Sequence, residues 1–120
     1  MASLLQFQFK ALLEDEMLQR IMLWGVSEKK AFLRNLSDER EIIGEEIFKN
    51  IDPQFKDSII DIRAILAIVL AGIYYLVLHG KTNGSLFCGI DLNTLDGEKR
   101  IHDAISQIIS MAYKKNNRSS

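Results

Sequence analysis

Apolar residues recur at helical spacing along almost the whole chain, and this pattern predicts five helices. Three- and four-residue steps between apolar positions cover residues 3–13, 15–25, 28–50, 58–79 and 95–114. Strict alternation of apolar and polar residues never lasts long enough to indicate a sheet. We therefore predict an all-α bundle of five to six helices, in which a sixth helix arises if Ser37 and Asp38 interrupt the third.

Residues that favour helix ends support these boundaries. Ser27 is a plausible N-cap for the third helix, and Asn93 or Thr94 is one for the last. Gly80 is well placed to end the fourth helix. In the loop before the last helix, we expect the Asp91 carboxylate to accept hydrogen bonds from backbone amides.

The most apolar segment is AILAIVLAGIYYLVL, residues 64–78, which carries no charge. Such a run belongs in a bilayer, in the centre of a monomeric bundle, or in a core shared between subunits. A helix that spans a bilayer needs roughly 20 consecutive apolar residues, whereas this run stops at Arg63 and at His79. The segment therefore predicts a buried helix of a soluble protein, with no membrane partner.

The last helix carries an apolar stripe wide enough to face its own domain and a second copy at once. Two adjacent apolar helices at the C-terminal end predict a homodimer whose last two long helices form an intermolecular four-helix bundle. The alternative is a monomer with a well-filled core. The candidate dimer-interface residues are Ile65, Val69, Ile101, Ile105, Ile108, Ile109 and Ala112.

Length and charge narrow the class of protein. The 120 residues suit one helical domain over residues 1–113, followed by a disordered polar tail over residues 114–120. Fifteen Lys and Arg oppose sixteen Asp and Glu, so no net positive field attracts nucleic acid. The N-terminus lacks the pattern of a signal peptide. We expect a cytoplasmic domain that makes no nucleic-acid contact of its own.

The side chains that support catalysis or metal binding are sparse. One cysteine excludes an intramolecular disulfide, and Cys88 with two histidines cannot form a structural zinc site. Cys88 is expected to be a small buried apolar group. Arg63 is expected to pair with Asp61, Asp57 or a neighbouring glutamate in preference to an acidic effector. No nucleophile, base and orienting acid stand together, so we predict a non-enzymatic protein without metal or cofactor.

Three segments of the C-terminal half resemble a known family. They are AGIYYL at residues 71–76, FCGIDL at residues 87–92, and the capped helix that carries Gly97 and Ile101. Upstream, the helix end at Leu23 and Trp24 and the segment REIIGEE at residues 40–46 fit the same pattern. Over residues 4–113 the chain resembles the C-terminal half of tetracycline-repressor (TetR) family regulators.

The resemblance implies a regulatory role. In that family an N-terminal helix-turn-helix domain binds DNA, and the C-terminal helical domain dimerises and holds a small-molecule pocket. No segment before Leu4 could supply the DNA-binding helices, so the expectation is the effector-sensing half alone. The alternative is a stand-alone helical module that binds a partner protein or an acyl chain.

By the same resemblance, a mostly apolar effector pocket lies among the earlier helices and the inner side of the fourth. Methionine and aromatic residues at helical spacing are equally suited to an ordinary core. The candidate pocket residues are Met17, Ile21, Met22, Trp24, Phe32, Phe48, Phe55, Tyr74 and Tyr75.

Overall fold

A computed structural model describes the backbone of residues 1–27 and 31–119 and the side chains of residues 1–25, 27 and 38–117. Its elements in chain order are α1 (Ala2–Glu14), α2 (Glu16–Ser27), α3 (Ala31–Ile51), a 3₁₀ turn (Asp52–Phe55), α4 (Ile62–Asn83) and α5 (Leu95–Ser119). The all-α prediction is confirmed. The third helix passes Ser37 and Asp38 without a break, so the described part of the chain holds five α-helices.

The first helix lies at the centre of the molecule. It packs against both α4 and α5, and Leu5, Phe9 and Leu12 bury one stripe at steps of four and three residues. Phe9 and Leu12, with Val77 of α4, are the largest fully buried side chains. The rest of the core is Leu13, Ile51, Phe55, Ile62, Leu66, Ile73, Leu92, Ile105, Ile109 and Ala112.

The apolar helix α4 is covered on one side and open on another. Its core face contains Ile62, Leu66, Ile73 and Val77. The opposite side, which we call the open face, consists of Ala64, Ile68, Ala71, Gly72 and Tyr75, all exposed. The expectation that this helix is hidden on nearly every side therefore does not hold within the single chain.

By length and composition alone, α4 is apolar enough to cross a membrane, and 22% of its most apolar window is buried. A core helix of a soluble protein passes the same test, although it is mostly buried. In α4 the share is low because the open face meets no partner among the described residues. At its N-terminal end, Arg63 is held in an ion cluster.

Two glycines do not end helices as predicted. Gly80 lies inside α4, where a Cβ would stand 3.3 Å from Leu92 Cβ, so its lack of a side chain admits the loop that follows. The helix ends at Gly84, whose φ of 64° is left-handed and whose N–H donates to the Gly80 carbonyl. Likewise α2 passes Gly25 and ends at Ser27, whose hydroxyl donates to the Leu23 carbonyl.

The start of α5 confirms the predicted cap. The Thr94 hydroxyl oxygen accepts from the Gly97 amide at 3.0 Å, and the same hydroxyl donates to the Asp91 carbonyl at 2.8 Å. The Asp91 carboxylate accepts from the Asn93 amide at 2.9 Å, as expected for this loop. These bonds fix the direction in which α5 leaves the loop.

The other end of α5 differs from the predicted disordered tail. The helix continues to Ser119, and Asn116 is buried although it is polar. Its amide donates to the Gln54 carbonyl at 2.8 Å, which satisfies a buried polar group. One turn earlier, the Tyr113 ring meets the Phe55 ring edge-on, with centroids 4.9 Å apart. These contacts tie the end of α5 to the 3₁₀ turn.

Candidate ligand groove

A groove of about 580 Å³ runs between α3 on one side and α1 and α4 on the other. This volume lies within the range of roughly 300–1,000 Å³ that small-molecule sites occupy. Most of its wall is apolar. The lining residues are Met1, Leu4, Leu5, Gln8, Arg40, Glu41, Ile43, Gly44, Glu45, Ile47, Phe48, Arg63, Leu66, Ala67, Leu70 and Tyr74.

One end of the groove carries a chain of directed hydrogen bonds. Arg40 Nη2 donates to Tyr74 Oη at 2.8 Å, and Tyr74 Oη donates to Gln8 Oε1 at 3.3 Å. The Arg40 guanidinium carbon also lies 5.4 Å from the centroid of the Tyr74 ring. Burial raises the pKa of Tyr74 above its ordinary value of 10.0, so the hydroxyl keeps its proton at neutral pH and can donate to Gln8.

The other end holds an ion cluster. Arg63 Nη1 lies 2.7 Å from Glu45 Oε1, and Arg63 Nη2 lies 2.7 Å from Asp52 Oδ2. The guanidinium carbon lies 4.5 Å from the centroid of the Phe48 ring. Hydrogen bonds from Arg63 lower the pKa of both carboxyls, and the two carboxylates raise the pKa of Arg63. The cluster fastens α3 and the 3₁₀ turn to the start of α4.

Arg63 pairs with carboxylates as the sequence indicates, but with different partners. The expected partners were Asp61, Asp57 or a neighbouring glutamate, and the structure supplies Glu45 and Asp52. Asp61 caps α4 instead, because its carboxylate accepts from the Ala64 amide at 3.1 Å. The partners of Arg63 depend on the return of the chain after the 3₁₀ turn, which residue spacing alone does not give.

Two of the predicted pocket residues, Phe48 and Tyr74, line this groove. Phe55 lies in the core, while Met17, Trp24 and Tyr75 are exposed away from the groove. Ile21 and Met22 of α2 are half-buried and do not line it either. The side chain of Phe32 lies outside the described residues.

Sequence reasoning missed Gln8 and Arg40, the polar partners of Tyr74. Gln8 is not among the predicted site residues, and Arg40 enters the prediction only as part of the segment REIIGEE at residues 40–46. The spacing of residues in the sequence does indicate both Gln8 and Arg40. Gln8 follows Leu4 by four residues on the same side of α1, and Gly44 follows Arg40 by four residues on α3, which puts each pair on one helix face.

The predicted dimer-interface residues separate into three groups. Ile105, Ile109 and Ala112 are buried in the core of their own chain. Ile65, Val69 and Ile101 are partly buried and pack against that core. Ile108, 39% exposed, lies on an outer flank of α5 that also contains Met111.

An aromatic cluster extends the open face toward the loop. The Tyr75 ring stacks on His79 with centroids 5.6 Å apart and meets Phe87 edge-on at 5.4 Å. The buried Nε2 atom of His79 has no hydrogen-bond partner in the described part of the chain. The adjacent Cys88 is exposed, with φ of 53°. The expectation that Cys88 is buried is wrong, because the left-handed turn at Cys88 and Gly89 projects from the surface.

Within the described ranges, no group of three or more His, Cys, Asp or Glu side chains could hold a metal ion. Comparison with protein-family models, with curated proteins and with solved structures gives no match to this chain. A functional assignment therefore depends on the groove and on the apolar surfaces around it.

Proposed function

We propose that this chain is the effector-sensing and dimerisation domain of a TetR-like transcriptional repressor, and that it binds a small, mostly apolar molecule. It performs no catalysis and makes no DNA contact of its own, since the DNA reader of such a regulator is a separate N-terminal domain. The observation that carries the proposal is the double role of α4. One face of this helix lines the groove, and another presents an unpartnered apolar surface.

The groove supports the binding role. Its apolar wall with a few polar groups at the ends is typical of small-molecule sites, where apolar contact supplies affinity and polar atoms fix orientation. The wall combines Leu66, Ala67 and Leu70 of α4 with Ile47 and Phe48 of α3. A bound molecule would contact both helices at once.

The open face supports dimerisation. Single exposed apolar residues are ordinary on protein surfaces, but five in a row along one helix face are typical of an interaction site. Ala64, Ala71 and Gly72 are small, so another helix can approach α4 closely at this face. A two-fold dimer uses the same patch on both subunits, and an open helix face suits that arrangement.

The two faces of α4 would couple ligand binding in the groove to the arrangement of the dimer. If α3 and α4 adopt two relative arrangements, a ligand that binds one arrangement more tightly shifts the population toward it. Because α4 would also form the dimer seam, such a shift changes the relative placement of the two subunits. In a repressor of this kind, that placement sets the spacing of the DNA-reading domains.

Light scattering on the purified chain at micromolar concentration tests the dimer directly. We expect twice the chain mass of 13.7 kDa. A monomer mass at that concentration would overturn the dimerisation role. A monomer that still binds an apolar ligand would favour the alternative of a stand-alone acyl-chain-binding module.

The sequence of the gene provides a second test. We expect the reading frame upstream of Met1 to encode a helix-turn-helix domain. A frame that encodes no such domain would contradict the repressor assignment and would favour the stand-alone module.

A further inference from the structure

The polar end of the groove contains more hydrogen-bond donors than the acceptors described there use. Arg40 carries five N–H groups and uses one of them on Tyr74 Oη. No carboxylate of the described residues lies within salt-bridge distance of the Arg40 guanidinium. Gln8 also lines the groove; its amide oxygen accepts from Tyr74, and its NH₂ group is a further donor on the same side chain. This end therefore favours an acceptor.

The Arg63 end has the opposite character. Arg63 is held by the two carboxylates of Glu45 and Asp52, so its charge is already matched and the cluster as a whole is negative. An anionic group is therefore disfavoured at Arg63 and favoured at Arg40. Glu41 also lines the groove, and its charge opposes an anion near Arg40.

Two contacts within the protein orient the guanidinium of Arg40, whose side chain is exposed. The bond to Tyr74 Oη and the position of the guanidinium over the Tyr74 ring hold the planar donor group in one place. Arginine in a fixed plane suits a carboxylate, which can accept two parallel N–H bonds. The ten residues of α4 between Arg63 and Tyr74 are all apolar, and the eleven steps from one to the other span about 16 Å at 1.5 Å per residue.

We propose that the groove binds an amphipathic monocarboxylate, with the carboxylate on Arg40 and Gln8 and the apolar body along Leu70 and Ala67 toward Phe48. The inference rests on the proposed effector-sensing function and names the ligand class for it. Within the protein, side-chain bonds join α3 and α4 at the two ends of the groove. Such a ligand would contact both helices along the middle of the groove. Binding would thus clamp α3 against α4.

Titration calorimetry with decanoate and decanol, both below their micellar concentrations, tests the head-group requirement on the full chain. We expect decanoate to bind about tenfold more tightly than decanol, because only the carboxylate carries a charge opposite to that of Arg40 and can accept two parallel N–H bonds from it. Arg40→Gln should reduce this preference to within about twofold, because the amide carries no charge to pair with the carboxylate. The matched control is Arg20→Gln, which removes an exposed arginine paired with Glu16 away from the groove and should leave the preference intact.

Two further variants test whether decanoate binds in the groove. Ala67→Trp should fill the groove and abolish binding of both decanoate and decanol. Glu41→Gln should strengthen decanoate binding, because it removes a negative charge from the groove wall. Decanoate binding that survives Ala67→Trp would place the probe elsewhere and overturn the proposal.

The outcomes separate this inference from the proposed function. Equal affinity for decanoate and decanol, or a preference that Arg40→Gln leaves unchanged, overturns the carboxylate inference but leaves an apolar effector groove. Absence of binding by either probe overturns the inference as well, while the light-scattering mass decides the dimerisation role independently. A monomer with no affinity for either probe contradicts both proposals.

Discussion

At the scale of single residues, Gly97 shows how one backbone contact can dictate a residue type. A Cβ at this position would stand 1.8 Å from the Asp91 carbonyl oxygen and 3.1 Å from Thr94 Oγ1. The same two residues form the cap of α5, in which Thr94 Oγ1 accepts from the Gly97 amide. The close approach of loop to helix therefore requires glycine, although glycine is a poor helix former.

Gly97→Ala should lower the free energy of unfolding by about 1–3 kcal/mol, the usual cost of overpacking a tight site, even though alanine favours helix. Urea denaturation measures the change. Gly25→Ala is the matched control, because a Cβ there meets nothing within 4 Å; it should raise stability by up to about 1 kcal/mol. Equal effects of the two substitutions would contradict the contact at Gly97.

At the scale of elements, α3 depends on an ion cluster for its position beside α4. Glu45 comes from α3, Asp52 from the 3₁₀ turn and Arg63 from α4. Bonds from Arg63 lower the pKa of Glu45 below its ordinary 4.5 and that of Asp52 below 3.8. A carboxyl with a lowered pKa in the folded state stabilises the fold above its unfolded pKa, and this contribution is lost as pH falls through the folded pKa.

Glu45→Gln should therefore destabilise the chain at pH 7 and lose that effect in acid. The difference in melting temperature between wild type and variant is expected to shrink as the pH falls below about 4.5. Glu46→Gln is the control, because Glu46 pairs with Lys49 within α3 and does not reach α4. A difference for Glu45→Gln that stays constant from pH 7 to about pH 3 would contradict a role for its charge.

At the scale of the whole molecule, the apolar surface is distributed unevenly. The core face of α4 packs against α1, whereas Ile68 on the open face is 74% exposed. Ile42 on α3 is 67% exposed, but its helical neighbours three and four residues away are all acidic: Asp38, Glu39, Glu45 and Glu46. Exposure alone does not distinguish the two isoleucines, and their surroundings predict different roles.

Ile68→Glu should convert the proposed dimer to a monomer in light scattering at micromolar concentration, because it places a charge in the centre of an apolar seam. Ile108→Glu on the flank of α5 should weaken the dimer in the same assay. Ile42→Glu, of matched exposure, should leave the mass unchanged. A dimer that survives Ile68→Glu would exclude the open face of α4 as the seam.

By itself, the sequence determined the class of fold and much of its local structure. Helical periodicity predicted five to six helices, and the capping residues Asn93 and Thr94 predicted the start of α5, because both signals depend on neighbours within a few residues. It also indicated that Arg63 pairs with carboxylates, since a cation beside an apolar run needs a partner.

The tertiary structure decided which apolar faces are covered. Neighbouring residues on a helix point about 100° apart, so Tyr74 and Tyr75 must face different surroundings, but the sequence does not state which of them meets a neighbouring helix. The packing of α1 and α3 beside α4 turns Tyr74 into the groove and leaves Tyr75 outside. The same packing places α1 at the centre and leaves α4, the most apolar segment of the chain, with one face open.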